Sequence, residues 1–108
     1  LGVGEPDFAV PWRIREEVIY ALEKGITSYT SNYGLMELRE AIAEYYRKFG
    51  VECNAEEVLV TTGVSEGIDI ALRTILNEGE AVLIPEPTYV SYSPLSSLAG
   101  GEVVSIPT

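Results

Sequence analysis

Apolar residues along this chain follow two regimes that change near residue 58. Up to Gly50 they recur at helical spacing. Ile14, Val18, Ala21 and Leu22 fall on one face after Pro11, a residue suited to a helix start, and Gly25 just past Lys24 supplies a stop. From Met36, the positions of Leu38, Ile42, Tyr45, Tyr46 and Phe49 give a second amphipathic helix closed by Gly50. The stretch ITSYTSNYG between them is polar and turn-forming. The first ten residues, LGVGEPDFAV, show neither period and read as an irregular arm, residues 1–10.

Beyond Val58 the apolar residues come in short continuous runs: VLVTT, AVLIP and EVVSIP. Such runs suit strands of a parallel sheet covered on both faces. Ser65 to Asn77 lies between the first two and carries a helical stripe of Ile68, Ala71, Leu72, Ile75 and Leu76. Thr88 to Leu98 is expected to be helical, kinked or interrupted at Pro94. The predicted order is β-α-β-α-β, an α/β fold with helices on the sheet faces. No internal repeat, low-complexity tract or linker divides it.

Composition narrows the function classes. A chain of 108 residues at 46% hydrophobic content can bury one modest core. Seventeen acids against seven bases give a net charge of −10, which repels nucleic acid and anionic membrane, so no partner of either kind is expected. No apolar stretch reaches the ~18–20 residues needed to span a bilayer, and the first residues lack a signal-peptide pattern. The single cysteine, Cys53, excludes an intrachain disulfide and fits a reducing compartment, so a soluble, intracellular protein is expected. Histidine is absent, which removes the usual neutral-range proton shuttle and the commonest metal ligand; no metal site is expected. Lys24 and Lys48 both stand at predicted helix ends, where a cation suits the dipole and stays solvated. No catalytic residue is therefore assigned among these 108.

The chemistry concentrates at VLVTTGVSEGIDIAL, Val58 to Leu72, where a strand-like run turns directly into a helix. Unpaired amides and the positive dipole end of such a helix attract anions. Gly63 permits the turn and a close approach, while Ser65 and the amides of Val64 and Ser65 are candidate donors. The spacing of Gly63 and Gly67 fits neither Walker A nor G-x-G-x-x-G. The plainer reading is a turn glycine, an N-cap at Ser65, and Glu66 and Asp69 placed for the helix dipole; Glu66 opposes a phosphate unless it points away. Tyr89, directly after the second run, falls where ligands of open α/β sheets sit and where a ring can stack on a flat group, or it is an ordinary aromatic. Tyr29 and Tyr33 offer phenolic hydroxyls from a loop, or fill it.

Taken in order, GEPDF, Y…NYG…LREAIAEYY, VLVTTGVSEGIDIAL, GEAVLIPEPTYVSY and AGGEVVSIP resemble the N-terminal part of a class I aminotransferase, the pyridoxal-phosphate enzymes related to aspartate aminotransferase. The resemblance spans the whole chain but only about a quarter of a typical member, which implies that the chain is a fragment. It implies a three-layer α/β/α architecture, with residues 1–10 as the arm and residues 11–108 as part of the large, cofactor-binding domain, its first three strands. It also implies the site. Gly63, Val64 and Ser65 would hold the phosphate of pyridoxal 5′-phosphate, Tyr89 would stack on its ring, and Gly4 would lie beside the substrate carboxylate. Tyr29 would reach across a homodimer interface to the cofactor of the neighbouring subunit. Val64 stands where close aspartate aminotransferases often have a small or polar residue, and Tyr89 where they have tryptophan, which weakens the case for a dicarboxylate substrate.

The activity implied is transfer of an amino group between an amino acid and a 2-oxo acid, in the cytoplasm. The Schiff-base lysine, the aspartate at the pyridine nitrogen and the substrate arginine would all follow residue 108, so these residues alone are expected to be inactive. In the family, the first large-domain strand has its neighbours elsewhere in the chain, so VLVTT is expected to lack its native partners here. The fragment would then be stable only by pairing strands differently, by associating with another chain, or as a partly ordered remnant. Two other classes stay open on the residues: a nucleotide- or methyl-donor-binding α/β module, and a non-catalytic ligand-sensing domain of the same fold.

Overall fold

The computed structural model describes residues 4–108. They form two compact units, residues 4–58 and residues 59–108. The first three residues of the expected arm lie outside the described residues, and residues 4–10 carry neither helix nor strand.

In residues 4–58, helix α1 spans Trp12–Glu23 with Pro11 as its N-cap, at φ −52°. It ends as predicted. The Gly25 N–H donates to Leu22 O and the Ile26 N–H to Ala21 O, both at 3.0 Å, the paired bonds of a Schellman stop. Helix α2 spans Met36–Arg47, and its end is closed at Gly50 by the same kind of bond pair. A 3₁₀ turn at Ala55–Glu57 follows, with the Asn54 N–H donating to the Glu57 carboxylate at 2.9 Å.

The buried face of α2 differs from the predicted stripe. Arg39 and Ala43 are buried, whereas Leu38, Tyr45, Tyr46 and Phe49 remain exposed. Arg39 is held by specific partners: its Nε–H donates to Val58 O at 2.9 Å, and its guanidinium lies 5.4 Å from the Tyr33 ring centre. A charged group can be buried there because a carbonyl and an aromatic face replace water. Tyr45 packs on Phe49 and Tyr46, with ring centres 5.2 and 5.9 Å apart, so that stripe covers itself only locally.

In residues 59–108, helix α3 runs Val64–Ile75, strand β1 Ala81–Glu86, helix α4 Tyr92–Leu98 and strand β2 Glu102–Pro107. The strands pair in parallel, from Ala81 opposite Glu102 to Glu86 opposite Pro107. Helix α4 packs on both strands and on α3. Ile68 and Leu72 of α3, Val82 and Ile84 of β1, and Tyr92 and Ser96 of α4 line a cavity of about 230 Å³ between these layers. The chain approaches itself closely at Gly101. A Cβ there would lie 3.0 Å from Val82 Cγ2 and 3.3 Å from Glu80 O, so only glycine lets the start of β2 come this near β1.

Three expectations need correction. Residues 58–62 form no strand; the described sheet has two strands, not three, because those residues bring no neighbouring strand for that segment to bond. The helix expected from Thr88 begins only at Tyr92. Pro94 then falls in its first turn, where a missing N–H costs nothing, and produces no kink. The strands are also not covered on both faces: Ile84 is buried, but Leu83 is 63% exposed. Within this unit α3 and α4 supply only one covering layer.

The turn from α3 to β1 carries a carboxylate bond that acid is expected to break. The Asn77 N–H donates to the Glu80 carboxylate at 2.7 Å, and Asn77's backbone and side chain together hold Glu80 below the usual carboxylate range. A depressed folded-state pKa means that this bond stabilises the fold above the ordinary carboxylate range and is lost as pH falls through the folded value. Glu80→Gln is therefore expected to be less stable than wild type at neutral pH, with the gap closing in acid. Denaturant unfolding of both forms across that range checks it; a gap independent of pH would contradict the bond.

Candidate functional site

The site grows from the turn before α3. Gly63 is the N-cap, with φ 83° and ψ 168°, a region of backbone space that is essentially closed to residues with a Cβ. The turn is tied locally. The Gly63 N–H donates to Thr61 O and the Thr61 hydroxyl to Gly63 O, each at 2.9 Å. The first intrahelical bond is from the Gly67 N–H to Gly63 O at 3.4 Å. This leaves the amides of Val64, Ser65 and Glu66 without a carbonyl inside the helix, at the positive end of its dipole.

Ser65 does not cap the helix as its type suggested. It occupies the second helical position, and its hydroxyl lies 3.1 Å from the Tyr89 hydroxyl. Gly63 takes the cap position because only glycine fits that backbone. The third helical residue, Glu66, folds back so that its carboxylate accepts from the Thr62 N–H. It is thus committed to the turn, yet it remains a negative charge at the helix start. Asp69 pairs with Arg73 one turn along, at 2.9 Å, an exposed i,i+4 pair of small energetic weight.

Tyr89 follows the end of β1. Its ring meets Tyr92, the first residue of α4, edge to face, with centres 5.6 Å apart at 80°. The Ser65 hydroxyl, and secondarily Ser91, holds the Tyr89 phenol below the usual tyrosine range. Beyond the carboxyl ends of β1 and β2 opens a concave space of about 540 Å³, lined by residues that include Glu86, Thr88, Tyr89 and Pro107. Gly63 to Ser65 do not line it; Tyr89 belongs to both places. Ligands of parallel α/β sheets bind at this end of the strands.

Among the sequence-predicted residues, the structure therefore brings Ser65 and Tyr89 into contact at the turn formed by Gly63 and Val64. Gly4 and Tyr29 belong to residues 4–58. Gly4 lies in irregular chain and the Tyr29 side chain is fully exposed. Thr61, Thr62 and Glu66 were not singled out as organisers of the turn. The position of Glu66, three residues after the cap glycine, is the sequence signal that points to its backward reach.

Helix-start amides and a serine hydroxyl can receive an anion, and a phenol ring adjoins them. The family model "Aminotransferase class I and II" matches residues 1–108. The chain belongs to that family. It is 46% identical to the aromatic-amino-acid aminotransferase 2 of Thermococcus litoralis, over 100% of this chain and 28% of that protein. It is 45% identical to an aspartate aminotransferase of Pyrococcus horikoshii, over 99% of this chain and 28% of that protein. The solved structure of an aromatic aminotransferase from Pyrococcus horikoshii OT3 superposes with a TM-score of 0.93 at 48% identity, covering 100% of this chain and 29% of that one. The chain thus spans about 28% of the length of the relatives it matches, and its α/β fold is the corresponding part of theirs.

Proposed function

We propose that this chain is the opening part of a pyridoxal-phosphate-dependent aminotransferase that moves an amino group between an amino acid and a 2-oxo acid. The observation that carries the proposal is the meeting of Ser65 and Tyr89 at the Gly63 turn, in a chain of this family. The amides of Val64 and Ser65 and the Ser65 hydroxyl hold the phosphate, where the α3 dipole favours a dianion. The Tyr89 ring lies against the flat face of the cofactor and helps keep water from it. When bound, the cofactor supplies the electron sink for bond-breaking at the α-carbon of the amino acid.

In this reading residues 1–10 are an arm with Gly4 beside the substrate carboxylate, and residues 11–108 are part of the large domain. The protein works as a cytoplasmic homodimer in which Tyr29 reaches the neighbouring subunit's phosphate; a fully exposed phenol is available for that. Neither lysine of the chain is assigned to the chemistry: Lys24 and Lys48 lie over the rings of Tyr20 and Tyr45 at helix ends. Relatives of nearly equal identity are called aspartate and aromatic-amino-acid aminotransferases, so identity over this segment does not separate the two amino donors.

The test uses the full-length protein with pyridoxal phosphate, an amino donor and a 2-oxo acid. Turnover and a visible cofactor absorption band are expected, with neither from residues 1–108 alone. Tyr29→Phe is expected to weaken cofactor retention roughly 10-fold, the scale of one hydrogen bond to a charged group, with little change in single-turnover chemistry. Binding of a nicotinamide dinucleotide without pyridoxal phosphate would overturn the proposal.

A further inference from the structure

The Ser65 hydroxyl has one hydrogen to give and two claimants for it. It lies 3.1 Å from the Tyr89 hydroxyl, a distance at which either oxygen can donate. A serine hydroxyl offers a single O–H and two acceptor lone pairs. If Ser65 donates to Tyr89, it has no hydrogen for a ligand oxygen. If Tyr89 donates to Ser65, the serine hydrogen is released.

We propose that Tyr89 is a positioning residue for anion capture: its O–H donates to Ser65 Oγ and thereby turns the Ser65 hydrogen toward a phosphate oxygen held at the start of α3. This rests on the cofactor reading above and assigns Tyr89 a task distinct from ring stacking. Three observations support it. The phenol is the more acidic of the two hydroxyls and so the better donor. Tyr89 is placed by a different element from Ser65: it follows β1 and packs edge-on against Tyr92 of α4, so the sheet end fixes the position of its hydroxyl oxygen independently of the helix start. The other polar groups of the turn are already committed, the Thr61 hydroxyl to Gly63 O and the Thr62 amide to Glu66, which leaves Tyr89 as the recorded side-chain partner of Ser65 among the described residues.

Two hydroxyls in series polarise one another, so the terminal donor binds an anion more strongly than an isolated serine does. The ring and the O–H of Tyr89 then act on different parts of one ligand: the ring on the pyridine, and the O–H, through Ser65, on the phosphate. Tyr89→Phe separates the two because it keeps the ring and deletes only the donor.

The experiment measures equilibrium binding of pyridoxal 5′-phosphate and of pyridoxal, which lacks the phosphate, to the full-length protein and to Ser65→Ala, Tyr89→Phe and the double variant. Ser65→Ala is expected to weaken the phosphorylated ligand roughly 10–30-fold and Tyr89→Phe roughly 5-fold, with pyridoxal changed by less than about 2-fold in both. The double variant should match Ser65→Ala, because without the serine the phenol has nothing to turn. Ser65→Thr, which keeps a hydroxyl, should retain affinity and remain sensitive to loss of the Tyr89 O–H. Tyr89→Phe that leaves pyridoxal phosphate binding intact, weakens both ligands equally, or adds independently to Ser65→Ala overturns the inference while the cofactor site stands. Ser65→Ala without loss of the phosphorylated ligand takes down the site reading and the inference together.

Discussion

Gly63→Ala in the full-length protein is expected to reduce affinity for pyridoxal phosphate by about 10-fold or more and to lower stability by about 1–3 kcal/mol. The reason is backbone strain alone. A Cβ built on Gly63 meets nothing within 4 Å, so no overpacking is involved. What the alanine cannot adopt is φ 83° with ψ 168°. Relief requires rotating the peptide that leads into Val64, and that rotation redirects the helix-start amides from where they converge. Gly79→Ala is the matched control. It has φ 81° with equally open space, but it stands beyond the opposite end of α3. It should lose stability on a similar scale while keeping cofactor affinity. Thermal or denaturant unfolding together with a spectroscopic cofactor titration separates the two variants. Equal affinities for both would reduce Gly63 to a corner between segments.

The second large effect concerns the sheet. Ile84→Ala is expected to destabilise the protein by roughly 2 kcal/mol, the low end of the range for truncating a buried isoleucine. Ile84 is 4% exposed and is the one buried hydrophobic residue among residues 59–108. It borders both the apolar space beneath α3 and α4 and the open cleft beyond the strand ends. Because space already adjoins it, the surrounding side chains can relax into the truncation, which keeps the cost low. Its neighbour Leu83 points to the other face and is 63% exposed; Leu83→Ala should cost less in this unit. Chemical denaturation of both variants reads the difference. A larger loss at Leu83 would show that its face is the more tightly covered one in the full-length protein.

Much of the secondary structure was legible because its causes are local. Pro11 and Gly25 mark the two ends of α1, and Gly50 marks the end of α2, through fixed φ values and a recurring pair of terminal hydrogen bonds. The apolar runs at Ala81 and Glu102 became parallel strands because each has the other to bond with. The run at Val58 has the same composition and formed none, since a strand is defined by a partner. Pro94 was read as a break because its position counted from the helix start was one turn too late; starting at Tyr92, the same residue is harmless.

The α/β fold was therefore legible in residue types in order, through periodicity and turn chemistry, and the family through the resemblance of five ordered segments. Two things were decided only by the tertiary structure: that Arg39 rather than Leu38 is buried, and that Ser65 touches a phenol 24 residues away. Each depends on which group arrives from a distant part of the chain to satisfy a donor or cover a face. Spacing along a sequence carries no record of that, because burial and hydrogen bonding are properties of neighbours in space.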